Sequence, residues 1–209
     1  VNDKLRVLVL GDSGVGKTSL AHLICTGEEL KRPKSTVGCT IHIKLHESKV
    51  LTGKSCFVEF WDVGGSPKFE ETRSVFYANS FDGVIFVHSL NNSVSRKNLE
   101  KWRQEWRQAH GHGDVGEWDI SGDAARRGLN RRGRMESDSS LPSSLTIANK
   151  SDLHFTKGSI ETSGDEVEAG YDQLVASAIR VGNAAEGLLL RVEAWIDRLL
   201  LAKERPGRQ

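Results

Sequence analysis

The sequence has almost no net charge, because its 29 lysines and arginines are matched by 28 aspartates and glutamates. A chain without a strong overall field is not drawn as a whole to nucleic acid or to anionic lipid. It also lacks any run approaching the roughly 18 apolar residues that a membrane-spanning helix needs, and no signal peptide opens it. We therefore expect no nucleic-acid partner and no transmembrane segment.

Cysteine is scarce, with three residues that show no CxxC spacing: Cys25, Cys39 and Cys56. Their odd number and irregular spacing argue against a disulfide framework and indicate reduced thiols, as in a cytoplasmic protein. The segment 204–209 also carries no cysteine that could be prenylated. We expect a cytoplasmic protein that associates with a membrane only through a partner.

One glycine-rich stretch carries most of the functional information. Residues 11–18 read GDSGVGKT, between the apolar run Leu5–Leu10 and a segment, 20–24, with apolar residues at helical spacing. The pattern GxxxxGK[ST] between a strand and a helix is typical of a phosphate-binding loop. Its glycines let backbone N–H groups turn inward around a polyphosphate, Lys17 would reach the β- and γ-phosphates, and Thr18 would bind Mg²⁺. The stretch predicts a nucleoside triphosphate site.

A second motif indicates which base is bound. Asn149, Lys150 and Asp152 lie in the sequence NKSD, directly after the apolar run Leu145–Ala148. The two carboxylate oxygens of Asp152 can accept the ring N–H and the amino group of guanine, whereas adenine presents an acceptor where guanine presents a donor. Because a buried polar group without a partner is costly, such a site selects guanine strongly.

Together these motifs resemble those of the Ras-superfamily small GTPases. The resemblance is closest to the Rab branch and, through the sequence WDVGGS at 61–66, to its atypical Rab-like-three subgroup. Thr36 lies eighteen residues after Thr18 and matches the switch I threonine of the family, which binds Mg²⁺ and senses the γ-phosphate. Asp62 and Gly65 match the switch II motif. The resemblance covers nearly the whole chain.

This resemblance implies an α/β P-loop GTPase fold of three layers, with a mostly parallel six-stranded sheet, one antiparallel edge strand and helices on both faces. It implies GTP or GDP with Mg²⁺ as the bound cofactors. Lys17, Thr36 and Gly65 would have the catalytic roles, and Thr18, Thr36 and Asp62 would hold the metal. The residues that would contact the nucleotide are Ser13, Gly14, Val15, Gly16, Lys17, Thr18, Ser19, Thr36, Gly65, Asn149, Lys150, Asp152, Ser177 and Ala178.

The chain departs from the family at positions that affect hydrolysis and nucleotide release. Ser66 stands where the family usually carries the glutamine that orients the attacking water, and serine is too short for that role. The aromatic residues that usually cover the base and the phosphates are replaced near Glu29 or Leu30 and near Pro33. We expect slow intrinsic GTP hydrolysis and fast nucleotide release, although Leu30 packed on the base would restore much of the affinity.

We interpret 1–209 as one GTPase domain with an insert at about 109–142 that is rich in Gly, Ser, Asp and Arg. A segment with so few apolar residues cannot offset the conformational entropy lost on ordering, so a mobile loop is expected. Five arginines at 126–134 allow a nuclear-import signal or contact with an acidic surface, but a solvated insert without a dedicated role is favoured. Amphipathic helices are predicted at 96–109 and around the apolar stripe at 188–199.

Residues 41–46 alternate apolar and polar side chains, which predicts a half-exposed edge strand. We expect the polar side chains, His42 and His46 among them, to face solvent. A pair of metal-binding histidines is the weaker alternative.

Two functions are compatible with these features. The first is a regulatory GTPase in signalling or vesicle transport, whose switch I (Lys31–Cys39) and switch II (Gly64–Ser74) order with GTP and bind effectors, under an exchange factor and an activating protein. The alternative is a nucleotide-stabilised interaction module with negligible hydrolysis, for which Ser66 is the signature. The sequence neither requires nor excludes a homodimer through an exposed strand edge or through Trp102 and Trp106. An ATP-using kinase is disfavoured, because it would leave Asp152 unexplained.

Overall fold

The computed structural model describes residues 3–110, 142–153, 172–175 and 183–204. The strands in these ranges are β1 (Asp3–Leu10), β2 (Cys39–Glu47), β3 (Ser55–Val63), β4 (Gly83–Ser89), β5 (Ser143–Asn149) and β6 (Asp172–Val175). The α-helices are α1 (Lys17–Thr26), α2 (Ser74–Tyr77), α3 (Ser93–Lys97), α4 (Leu99–His110) and α5 (Asn183–Glu204). Short 3₁₀ turns lie at Pro67–Phe69, Glu71–Arg73 and Ser151–Leu153.

The six strands form one sheet in the order β2-β3-β1-β4-β5-β6. β2 runs antiparallel to β3, whereas every other neighbouring pair is parallel. This architecture confirms the fold predicted from the sequence. Because β1, β4 and β5 are parallel neighbours, their carboxyl ends meet at one edge of the sheet, where ligands bind in open α/β folds.

The central strands are continuous apolar runs because helices cover both of their faces. All seven residues of β4 are buried. One core cluster joins the sheet to α1 and α5 and includes Trp195, and a second joins it to α2 and α4 and includes Trp102 and Trp106. Both predicted apolar stripes are therefore buried. The helix predicted at 96–109 is divided, since α3 ends at Lys97 and α4 begins at Leu99.

The prediction for β2 was wrong about which face is covered. Within the alternating segment 41–46, the exposed side chains are the apolar ones: Ile41, Ile43 and Leu45. On the other face, His46 is only 2% exposed and its Nε2 lies 2.9 Å from Asp197 Oδ1 on α5. Lys44 pairs with Glu193, one turn earlier on the same helix. Because α5 presents carboxylates to this part of the sheet, Lys44 and His46 face inward.

Burial by itself would raise the pKa of Asp197, but the hydrogen bonds that its carboxylate accepts from His46, from Ser48 and from the Lys49 N–H hold that pKa below its usual value. The carboxylate is thus kept charged in a buried position. It anchors α5 to the edge strand.

Several expectations concern residues outside the described ranges. Almost all of the insert at 109–142 and the pair Ser177 and Ala178 belong to this group. Within the described ranges, every helix is either too short or too polar to span a bilayer.

Gly83 is required by its packing against α5, and this gives a test of the fold. A Cβ at this position would lie 2.7 Å from the ring of Trp195 and 2.9 Å from Leu199. We expect Gly83→Ala to lower the free energy of unfolding by about 1–3 kcal/mol, because the buried ring cannot move away easily. Chemical denaturation measures this change.

The matched control is Gly187→Ala on α5, where a Cβ would meet no other atom within 4 Å. Alanine there should raise stability by up to about 1 kcal/mol, because it has the higher helix propensity. Equal effects of the two substitutions would contradict the packing described for β4 and α5.

Candidate functional site

The glycine-rich loop lies between β1 and α1, with Ser13 and Gly14 exposed on its rim and Val15 buried. α1 begins at Lys17, and no side chain caps its amino end, so the N–H groups of its first turn point toward the loop. Gly16 has φ +94°, and a Cβ there would overlap the side-chain amide of Asn149. The loop thus combines backbone donors with a close approach of two segments that only glycine permits.

Lys17 is 6% exposed, and its ammonium donates hydrogen bonds to the carbonyl oxygens of Gly11 at 2.7 Å and Asp12 at 2.9 Å. Burial lowers the pKa of Lys17 to about 8, while the carboxylates of Asp62 and Asp12 oppose that shift. A desolvated ammonium beside backbone N–H groups suits a polyphosphate, which would replace the solvation that the amine has lost.

Three oxygens from separate elements converge beside this lysine. Thr18 Oγ1 lies 2.6 Å from Asp62 Oδ2 and 2.9 Å from Thr36 Oγ1, and Thr36 Oγ1 lies 3.2 Å from the same carboxylate oxygen. Asp62 is fully buried, and its Oδ1 has no hydrogen-bond partner. Hydroxyl and carboxylate oxygens are ligands that Mg²⁺ accepts, so the residues present fit this metal.

The two switch segments meet next to these oxygens. The Gly64 N–H donates to the Gly38 carbonyl at 2.8 Å, and a Cβ on Gly64 would lie 2.6 Å from the carbonyl oxygen of Thr36. Gly65 is packed against the glycine-rich loop, since a Cβ there would lie 2.6 Å from Lys17 Nζ. Switch I, switch II and the loop are therefore in mutual contact around one small volume.

The NKSD motif follows β5 and contacts the glycine-rich loop at Val15 and Gly16. Asn149 is fully buried, and its amide donates to the Val15 carbonyl at 2.9 Å, across 134 residues of sequence. Lys150 has φ +64° and is the one non-glycine residue with positive φ among those described. Asp152 is half-buried in the turn that follows. Strained backbone of this kind concentrates at functional sites.

Sequence reasoning overlooked Asp12 of the glycine-rich loop. Its carboxylate accepts hydrogen bonds from Asn98 Nδ2 and from Trp102 Nε1, both at 2.8 Å. Trp102, which belongs to the second core cluster, is therefore also an anchor of the loop. The available signal was a charged residue inside a phosphate-loop pattern, but its partners lie more than 80 residues away.

Thirteen of the predicted site residues lie together at this edge of the sheet or in its rim: Ser13, Gly14, Val15, Gly16, Lys17, Thr18, Ser19, Thr36, Asp62, Gly65, Asn149, Lys150 and Asp152. Ser177 and Ala178 lie outside the described residues. The arrangement offers backbone donors and an ammonium for an anion, oxygens for a hard cation, and a carboxylate for a paired donor group.

Comparison with known proteins shows similarity to Ras-like GTPase domains. Residues 6–116 match a family described as Roc, the Ras of Complex domain of DAPkinase. Rab-like protein 3 from Homo sapiens is 49% identical over 109 residues, which are 49% of this chain and 46% of the relative. The Danio rerio protein of the same name is 47% identical over 109 residues.

A plant protein is also similar. Small GTPase LIP1 from Arabidopsis thaliana is 45% identical over 112 residues, which are 49% of this chain and 32% of the relative. The chain spans less than half the length of these relatives.

Lys17→Met separates a role in the site from a role in stability. We expect affinity for a polyphosphate ligand to fall by at least about 100-fold, because charge-assisted hydrogen bonds are lost. The free energy of unfolding should stay within about 1 kcal/mol of the original value, because the buried ammonium is itself costly. Binding titration and chemical denaturation measure the two quantities. A large loss of stability with unchanged affinity would contradict this assignment.

Proposed function

Because the chain belongs to the Roc family of Ras-like GTPase domains, we propose that it is a small GTPase that alternates between GTP-bound and GDP-bound states. The observation that carries this proposal is the hydrogen bond from Asn149 to the Val15 carbonyl. It links the loop with phosphate-binding chemistry to the loop with base-binding chemistry, as binding of both ends of one nucleotide would require.

The residues have distinct roles in this proposal. Lys17 and the N–H groups at the start of α1 bind the β- and γ-phosphates, and Asp152 accepts the two donors of guanine. Thr18, Thr36 and Asp62 hold Mg²⁺, which neutralises phosphate charge when bound. Thr36 and the Gly65 N–H contact the γ-phosphate, so that loss of this group releases both switches.

Hydrolysis is slow in this proposal because Ser66, the residue directly after Gly65, has no long polar side chain. Ser66 is half-buried, and its carbonyl oxygen accepts a hydrogen bond from Arg73 Nη1 at 2.9 Å. Its hydroxyl is too short to orient a water for in-line attack. Nucleotide release, in contrast, is fast in this proposal, because the aromatic residues usual in switch I are replaced near Glu29 or Leu30 and near Pro33.

Effector proteins would bind where the switches meet the exposed apolar face of the sheet. That face is formed by Ile41, Ile43, Leu45 and Phe57. The exposed side chains of Val37, in switch I, and Val75, directly after switch II, add apolar surface in or beside the segments that respond to the γ-phosphate, so a partner could distinguish the nucleotide states. In this proposal the protein acts in signalling or intracellular transport, under regulation by an exchange factor and an activating protein.

A second candidate is an interaction module that binds nucleotide for stability and hydrolyses it negligibly. Ser66 and the large exposed apolar side chains favour it, since a permanent docking surface needs no hydrolysis. Single-turnover hydrolysis separates the two functions, because only the switch requires conversion of GTP to GDP.

Asp152→Asn tests the identity of the base. An asparagine side chain cannot accept two donors, so affinity for GTP should fall by about 100-fold or more. Xanthosine triphosphate presents a carbonyl in place of the amino group and should gain affinity, because the asparagine amide can donate to it. Competition titration measures both effects. Gain of xanthine binding also shows that the variant is folded, whereas unchanged guanine preference would contradict the role of Asp152.

Ser66→Gln tests the cause of slow hydrolysis. A longer amide side chain can orient the attacking water, so the single-turnover rate with bound GTP should rise by roughly 10- to 100-fold. Ser80→Gln, in the exposed segment after α2, is the matched control and should leave the rate unchanged. A wild-type rate that already equals that of the Ser66→Gln variant would contradict the proposal.

A further inference from the structure

One arginine of switch II is buried although the segment around it is exposed. Arg73 is 2% exposed, whereas Glu71, Thr72, Ser74 and Val75 are open to solvent. A guanidinium carries a charge at all accessible pH values, so it is buried only where its donors are satisfied.

The donors of Arg73 are divided between two elements. Nε and Nη2 bind the two carboxylate oxygens of Glu105 on α4, at 2.8 and 3.0 Å, in the parallel geometry that arginine forms with carboxylates. Nη1 donates to the Ser66 carbonyl at 2.9 Å. The guanidinium therefore joins the beginning of switch II directly to a long helix.

Trp102 and Glu105, the two residues of α4 that contact Arg73, are themselves held by hydrogen bonds to other elements. The guanidinium carbon lies 4.4 Å from the ring centre of Trp102, whose Nε1 donates to Asp12 of the glycine-rich loop. Glu105 also accepts the hydroxyl of Tyr77 at 2.7 Å. Because α4 is anchored to the glycine-rich loop in this way, the position of Arg73 is set relative to the phosphate site rather than to solvent.

The Ser66 carbonyl that Arg73 holds follows directly after Gly65. Gly65 has no freedom toward the glycine-rich loop, since a Cβ there would lie 2.6 Å from Lys17 Nζ. Gly65 is thus confined on one side by the loop, and the carbonyl of the next residue is held by the hydrogen bond from Arg73.

We propose that Arg73 is a positioning residue that holds the Gly65–Ser66 peptide where the γ-phosphate binds, and so sets the preference of the protein for GTP over GDP. This inference rests on the proposed GTPase function. Arg73 does not touch the nucleotide. It acts through Ser66 and Gly65, and it lowers the ordering cost that GTP would otherwise have to meet.

Arg73→Met removes the charge and all three hydrogen bonds while keeping much of the apolar volume. We expect affinity for a labelled, non-hydrolysable GTP analogue to fall by about tenfold, while affinity for labelled GDP changes by less than about twofold. GDP is spared because it has no γ-phosphate for Gly65 to contact. Lys97→Met, at an exposed position of α3, is the matched control and should change neither affinity.

A second variant separates positioning from stability, because Arg73→Met leaves the Glu105 carboxylate without its cation. In Arg73→Met/Glu105→Gln both charges are gone, so thermal unfolding should return toward the wild-type midpoint. The loss of GTP preference should remain, because the hydrogen bond from Arg73 to the Ser66 carbonyl is still absent in the double variant. Arg73→Lys should not restore it fully, since one ammonium cannot span the carboxylate and the carbonyl.

The contrary results are distinct. Equal weakening of GTP analogue and GDP, or a double variant with wild-type preference, would overturn the positioning role and leave a structural one. Wild-type protein that binds neither guanine nucleotide would instead overturn the proposed function, and this inference with it.

Discussion

The candidate site depends on one buried hydrogen bond between segments that are distant in sequence. β4 lies between β1 and β5 in the sheet, so the loops that follow β1 and β5 cannot meet through strand pairing. The Asn149 side chain bridges that gap by donating to the Val15 carbonyl. A buried amide without a partner costs about 1–3 kcal/mol, which makes this spacing of the two loops the stable one. The hydrogen bond thereby holds the glycine-rich loop and the NKSD turn next to each other.

Near this hydrogen bond the fold buries charged groups that would normally be hydrated. Lys17 and Asp62 are both buried, and each is only partly satisfied by the protein: the amine by two carbonyls, the carboxylate by two hydroxyls. Groups in this state bind ligands of opposite charge strongly, because their desolvation has already occurred in folding. The close contacts of Gly64 and Gly65 then connect the same volume to the surface segments that partners can reach.

Local patterns sufficed for the parts of the protein that depend on neighbouring residues. The apolar runs predicted the parallel strands, and GDSGVGKT and NKSD predicted which ends of the strands carry chemistry. Alternation along β2 revealed two faces but not that α5 brings Asp197 to His46, which reversed the expected exposure. The left-handed backbone of Lys150 and the pairing of Arg73 with Glu105 likewise carry no local signature. Each depends on contacts made only in the folded chain.

We propose that one site binds a guanine base through Asp152 and a triphosphate through Lys17. Equilibrium competition of GTP, ITP and ATP against a labelled guanine nucleotide is the most decisive test of this arrangement. Inosine lacks the amino group of guanine, and adenine has an acceptor where guanine has its ring N–H donor. We therefore expect affinities in the order GTP, ITP, ATP, with ATP roughly 1,000-fold weaker than GTP. ATP that competes as well as GTP would contradict it.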